Sequence, residues 1–288
     1  MAAEAKGGEA RVGKGCGCRR AGDLIEGALL LIAHPGHELR LHAWLGLARP
    51  TVAVLTDGSG RSGQSRLDET AATLNLQGAR PARVFGALRD VDLYALLLAR
   101  DAEAAWTLVQ DLAEQIVTDR PAALVCDAAE GLNPGHDLCR ALGGLVARLA
   151  RQRGWAGQFM EFPLEGPPLR PELETMLRVN LCEACFAAKR QRSRVCADLL
   201  PDVDAVEQNT GIDAFRHEAL YAARLGRHAG ADADGLPPHG VKPFYERWGE
   251  ARVTARKYVN VVRRAEHMLP LLEDLEAKLE QALEATPA

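Results

Sequence analysis

From residue 28 to residue 162 short apolar runs alternate with longer stretches in which apolar side chains recur every three or four positions. Runs of strand length bounded by turn residues predict buried strands, and the recurrent stretches predict helices packed by one face. Strands are expected at residues 28–33, 51–56, 83–86, 122–126 and 158–162. Helices are expected after His37 (Leu39, Leu41, Trp44, Leu45), from about Ser65, over 102–117 (Ala105, Leu108, Leu112, Ile116) and from about His136. Consecutive strands separated by a single helix imply parallel pairing. The predicted fold class is α/β, a Rossmann-like three-layer sandwich with a mostly parallel sheet. Beyond Pro167 the pattern changes: Pro168 and Pro171 add punctuation, helical segments follow at 172–199 and 204–207, and an amphipathic, charge-laced helix is expected at 267–283. Three parts result: a disordered tail over 1–22, the core over 23–165, and a helical C-terminal part over 166–288 packed on that core.

Two strand ends carry the same phrase. His34-Pro35-Gly36-His37 follows the first strand and Asn133-Pro134-Gly135-His136 follows the fourth. In an open parallel sheet ligands bind beyond the carboxyl ends of the strands, so these imidazoles are expected to line that crevice. Three neutral imidazoles suit zinc and leave a position open for water. The ligand set alone does not fix the metal, and Fe2+ or another divalent ion is an alternative. The plainer reading makes these histidines turn and helix-cap residues; for His42, His228 and His239 the default is a polar surface or satisfied core residue. The segment 88–93 reads as a loop approaching the same crevice. The Gly- and Ser-rich loop after Asp57 lacks the terminal Gly-Lys-Ser or Gly-Lys-Thr of a phosphate-binding P-loop.

These residues resemble the LmbE-like or PIG-L family of zinc-dependent N-deacetylases, whose first motif usually reads Ala-His-Pro-Asp-Asp-Glu and whose second reads His-Pro-Asp-His. The resemblance implies His34, His37 and His136 as metal ligands, His37 standing where the family has an aspartate. It also implies two losses: Gly36 occupies the position of the family's general base, and Asn133 that of an assisting histidine. A base must then come from elsewhere, with Asp57, at a strand end, the first candidate, and Asp137 and Glu38 the others. Asp137 and Glu38 equally suit acceptors that orient imidazoles, and Asn133 suits a donor to an oxyanion. Arg61, Arg216 and Tyr245 are candidates for supporting the site or binding substrate; Phe215-Arg216-His217-Glu218 and the stretch around Tyr245 are similar to C-terminal stretches of some family members. The implied activity is metal-dependent removal of an N-acyl group, such as acetyl, from an amino sugar or similar small polar substrate. The alternative is a metal- or sugar-binding member that has lost hydrolysis.

A net charge of -4 and a pI near 6.1 argue against a nucleic-acid-binding surface. The basic run from Lys189 to Arg194 reads as a solvated helix face. No apolar run reaches membrane-spanning length. Seven cysteines, with no apolar leader-like segment at the start, predict reduced thiols and a cytoplasmic protein. Cys16 and Cys18 with Cys182 and Cys185 would suffice for a structural zinc. Because Cys182 and Cys185 lie three apart in an apolar helical pattern, small core residues are the default there. The last helix would cap the domain or make a contact in a homo-oligomer.

Overall fold

The computed structural model describes residues 10, 11, 16–60, 62–225 and 241–285. Two short strands, β1 (Ala10–Arg11) and β2 (Arg19–Gly22), precede the first apolar run, which forms β3 (Leu29–Ile32) and is followed by α1 (His42–Ala48). Then come β4 (Thr51–Thr56), α2 (Leu67–Gln77), β5 (Arg80–Leu88), α3 (Asp90–Ala99), α4 (Ala102–Asp119), β6 (Ala123–Asp127), α5 (Pro134–Gln152) and β7 (Gln158–Phe162). The remainder holds β8 (Thr175–Asn180), α6 (Glu183–Ser193), α7 (Leu200–Thr210), β9 (His217–Ala222), α8 (Phe244–Thr254) and α9 (Leu269–Glu284).

All the strands join one sheet in the order β1-β2-β8-β9-β7-β6-β3-β4-β5. The pairs among β7, β6, β3, β4 and β5 are parallel, and the others are antiparallel. The three-layer arrangement follows from the period of two along β3. Leu29 and Leu31 pack with Leu93, Leu112, Leu142 and Leu275, from α3, α4, α5 and α9, on one face. Leu30 and Ile32 pack with Trp44, Leu45, Leu74 and Phe186, from α1, α2 and α6, on the other. Among the described residues no helix is long and apolar enough to cross a membrane.

The α/β fold class agrees with the sequence expectation, while three details differ. The segment expected as a loop at 88–93 starts α3 at Asp90. The part expected to be only helical also supplies β8 and β9, because Leu177 and Val179 alternate with half-buried or exposed neighbours and face the core. The tail expected to be disordered contributes β2, paired antiparallel with β8 from Arg19 opposite Asn180 to Gly22 opposite Leu177.

The chain runs outward through β3, β4 and β5 and then returns to lay β6 on the opposite side of β3. The strand order thus reverses between β3 and β6, which is where a doubly wound sheet opens a crevice at its carboxyl edge. Both Pro-Gly-His phrases follow these two strands.

Candidate metal centre

Local chemistry fixes the first turn. Gly36 has φ 107° and ψ -21°, a conformation that side-chain-bearing residues rarely adopt. Its amide donates to Glu38 Oε2 at 2.7 Å, and Thr70 Oγ1 donates to Glu38 Oε1 at 2.9 Å. Asn133 caps α5, its Oδ1 accepting from the Gly135 amide at 2.7 Å, and Pro134 takes the first helical turn, where its missing N–H costs nothing. His136 is thereby held in the first turn of α5, facing the turn after β3.

The three imidazoles converge. Ring centroids stand 5.4 Å apart for His34 and His37, 5.4 Å for His34 and His136, and 4.5 Å for His37 and His136. His34 Nδ1 lies 2.8 Å from Thr56 Oγ1 and 3.0 Å from Asp90 Oδ1. The Thr56 hydroxyl itself donates to the Ala33 carbonyl, so Nδ1 of His34 carries the proton and Nε2 keeps its lone pair. His37 Nδ1 likewise donates to Asp127 Oδ2 at 2.8 Å, an oxygen that also accepts from the Ala33 amide at 2.8 Å. Imidazoles oriented by carboxylates in this way are the form in which histidine ligates metals.

His34 Nε2 is buried and has no hydrogen-bond partner among the described residues. A Cβ built on Gly135 would stand 2.9 Å from it, so a glycine is what this close approach of α5 to the ring requires. Burial, followed by the neighbouring imidazoles, holds His37 and His136 well below the ordinary histidine range, which keeps them neutral and able to donate lone pairs. The donor set suits a divalent cation such as zinc in kind, while its three nitrogens are not gathered within 4.8 Å of one another. Gly135→Ala is expected to weaken zinc binding about tenfold or more, by chelator competition, because the pinned His34 ring must shift. Unchanged affinity would remove His34 Nε2 from the ligand set.

The carboxylates are arranged differently from expectation. Asp57 Oδ1 accepts from the Ser59 amide at 3.0 Å and the Ser59 hydroxyl at 2.6 Å, closing the turn after β4. Asp137 Oδ1 accepts from the amides of Glu130 and Gly131 at 3.1 and 3.0 Å and shapes the loop before α5; burial pushes its carboxyl up to about 7. Glu38 closes its own turn by accepting from the Gly36 amide. The acids that hold imidazoles are Asp90 and Asp127. Burial, the largest single influence, would raise Asp90, yet the interactions with His34, Thr56 and the Gly60 amide together outweigh it and hold this carboxyl well below the usual range. Burial pushes Asp127 up to about 7.

Among the other candidates, Asn133 spends its oxygen on the helix cap, and its side chain also reaches the Tyr94 hydroxyl. Tyr245 is buried in the core beside α5, with no hydrogen-bond partner for its hydroxyl among the described residues. Arg216 pairs with Asp213 and Glu183 at 3.0 and 2.5 Å and lies 4.3 Å over the Phe186 ring, so it is tied to α6 and not to the histidines. Arg61 lies outside the described residues, as do His228 and His239. Arg66 is a cation that sequence reasoning missed; its charge acts on His37 and Glu38 while its Nε donates to the Gly58 carbonyl at 2.8 Å.

No protein-family model matches the chain, and no curated protein matches it. Among solved structures it is similar to the A40926 pseudoaglycone deacetylase Dbv21, with 19% identity and a TM-score of 0.47 over 69% of this chain and 97% of that one. It is also similar to the conserved protein TT1542 from Thermus thermophilus, with 17% identity and a TM-score of 0.42 over 70% of this chain and 96% of that one. A third similar structure is a triple mutant of a deacetylase involved in the teicoplanin biosynthetic pathway, with 15% identity and a TM-score of 0.41 over 68% of this chain and 97% of that one.

Proposed function

We propose that this chain is a divergent LmbE-like hydrolase that removes an N-acyl group, such as acetyl, from an amino sugar or similar small polar molecule, using a divalent cation held by His34, His37 and His136. The observation that carries the reading is the buried, unpartnered Nε2 of His34 in a ring whose Nδ1 is fixed by Asp90, beside His37 fixed by Asp127. When bound, zinc lowers the pKa of a coordinated water and polarises a carbonyl. The chain's own part is to orient His34 and His37 through Asp90, Thr56 and Asp127, and to keep His37 and His136 neutral by burial. The positive charge of Arg66 near His37 suits a developing oxyanion. The same reading places the protein in the cytoplasm, supported by seven cysteines that stand as free thiols.

One observation favours a second reading, a metal- or sugar-binding protein without hydrolysis. A Cβ at Gly36 would lie 2.6 Å from Leu199 Cδ1, so the space of the family's base is occupied by an apolar side chain. Neither Asp57, Asp137 nor Glu38 is free of a structural task. The deciding measurement is acetate release from a panel of N-acetylated amino sugars by zinc-loaded protein, beside binding of the same sugars by calorimetry. Release that falls to background in His136→Ala supports the hydrolase. Binding without release in the unaltered protein overturns it in favour of the second reading.

A further inference from the structure

We propose that Cys16, Cys18, Cys182 and Cys185 form a second metal site, a structural tetrathiolate zinc centre that clamps the chain before β2 to the start of α6. It shares no residue with the histidine centre and stands whether or not that centre is catalytic.

The sheet brings the four cysteines together. Because Arg19 pairs with Asn180 in the antiparallel register of β2 and β8, the residues just before β2 run past those just after β8. Cys16 and Cys18 therefore meet Cys182, the N-cap of α6, and Cys185 in its first turn. Their sulfurs all lie within 4.8 Å of one another, a closeness that no other group of three or more potential ligands reaches among the described residues. Two separations are 3.3 Å, Cys16 to Cys185, and 3.7 Å, Cys18 to Cys182.

These distances select the chemistry. A tetrahedral zinc with sulfur at about 2.3 Å requires sulfurs about 3.8 Å apart. A disulfide requires about 2.05 Å, and the cysteines stand as free thiols. A polynuclear iron–sulfur cluster distributes its cysteines over several iron atoms, which this closely gathered quartet does not suit. The surroundings suit thiolates. The Cys182 amide donates to Cys18 Sγ at 3.2 Å and the Cys18 amide to Cys16 Sγ at 3.4 Å. Backbone amides of Cys185 and Gly17 also point to Cys182. Gly17 permits the close turn, since a Cβ there would stand 3.1 Å from Cys182 Cβ. Cys18 lies in the core cluster, as the default from sequence has it, while Cys16, Cys182 and Cys185 pack against that cluster only partly buried. Four thiolates gathered this closely repel one another unless a cation neutralises them.

The test uses the full-length protein purified with reductant and without added metal. Elemental analysis should find about one zinc that persists in the His34→Ala/His136→Ala variant and disappears in Cys182→Ser/Cys185→Ser. Zinc lost entirely with the histidines, with none lost in the serine variant, would overturn the proposal while sparing the histidine centre; the converse failure would spare this one. Should the serine variant not fold, two measurements on the unaltered protein decide. Replacing zinc by cobalt should give intense thiolate-to-cobalt charge-transfer absorption in the near ultraviolet, and the four thiols should resist alkylation until a strong chelator is added. Absence of that absorption, immediate alkylation of all four, iron in place of zinc, or an intact mass showing two disulfides would each overturn it.

Discussion

Glu218→Ala is expected to lower the unfolding free energy by about 3–5 kcal/mol, the loss typical of breaking a buried ion pair from one side. Glu218 is 1% exposed and accepts from the Ala43 and Trp44 amides at 3.0 and 2.8 Å and from Lys189 Nζ at 2.8 Å. The two amides belong to the first turn of α1, where N–H groups lack helical partners. Removing the carboxylate leaves them unsatisfied and strands the buried Lys189 ammonium with only the Arg40 carbonyl at 2.7 Å. Burial already depresses the Lys189 pKa and the Glu218 charge opposes that shift, so the lysine depends on its partner. Urea unfolding measures the loss. A change below about 1 kcal/mol would show that water reaches this pair and relieves the desolvation.

The second large effect is expected at Asp127. Asp127→Ala removes the acceptor of both the His37 imidazole and the Ala33 amide, so His37 loses its fixed tautomer and the end of β3 loses its tie to β6. Zinc affinity at the histidine centre should fall about 10–100-fold, as for other carboxylates that orient metal-bound histidines. Stability should fall by about 1–3 kcal/mol from the buried amide left unpaired. Asp57→Ala is the informative contrast: its carboxylate serves the Ser59 turn, so zinc affinity should change less than about twofold. Competition against a chromophoric chelator reads both variants. Equal losses in the two would contradict the assignment of Asp127, and not Asp57, to the imidazole.

What could be read from the sequence was what is encoded over a few neighbouring residues. The periodicities of β3 and β4 and the helical spacing over α4 report burial on one face or two, and Pro-Gly-His after two strands marks where the chain offers nitrogen donors. The partners of those donors were hidden because they arrive from far along the chain: Asp90 is 56 positions from His34 and Asp127 is 90 from His37. Asp57, Asp90 and Asp127 all sit at a strand end or a helix start, and no local pattern tells which of them turns inward. The cysteines pose the same difficulty, since Cys18 and Cys182 are 164 positions apart and meet only through the register of β2 on β8. The missed strand β8 was a different failure. Its alternation of Leu177 and Val179 with polar or partly exposed neighbours was present, but it lay in a segment read as helical throughout.

The contact between Gly36 and Leu199 constrains how this chain can change. Introducing an aspartate at position 36 by one substitution would place a side chain on a backbone at φ 107° and against the Leu199 methyl group, so that step is disfavoured on two counts. A smaller residue at position 199 would have to come first and would bring no carboxylate of its own. An acid at position 36 thus takes two changes, the first of which adds no donor to the site.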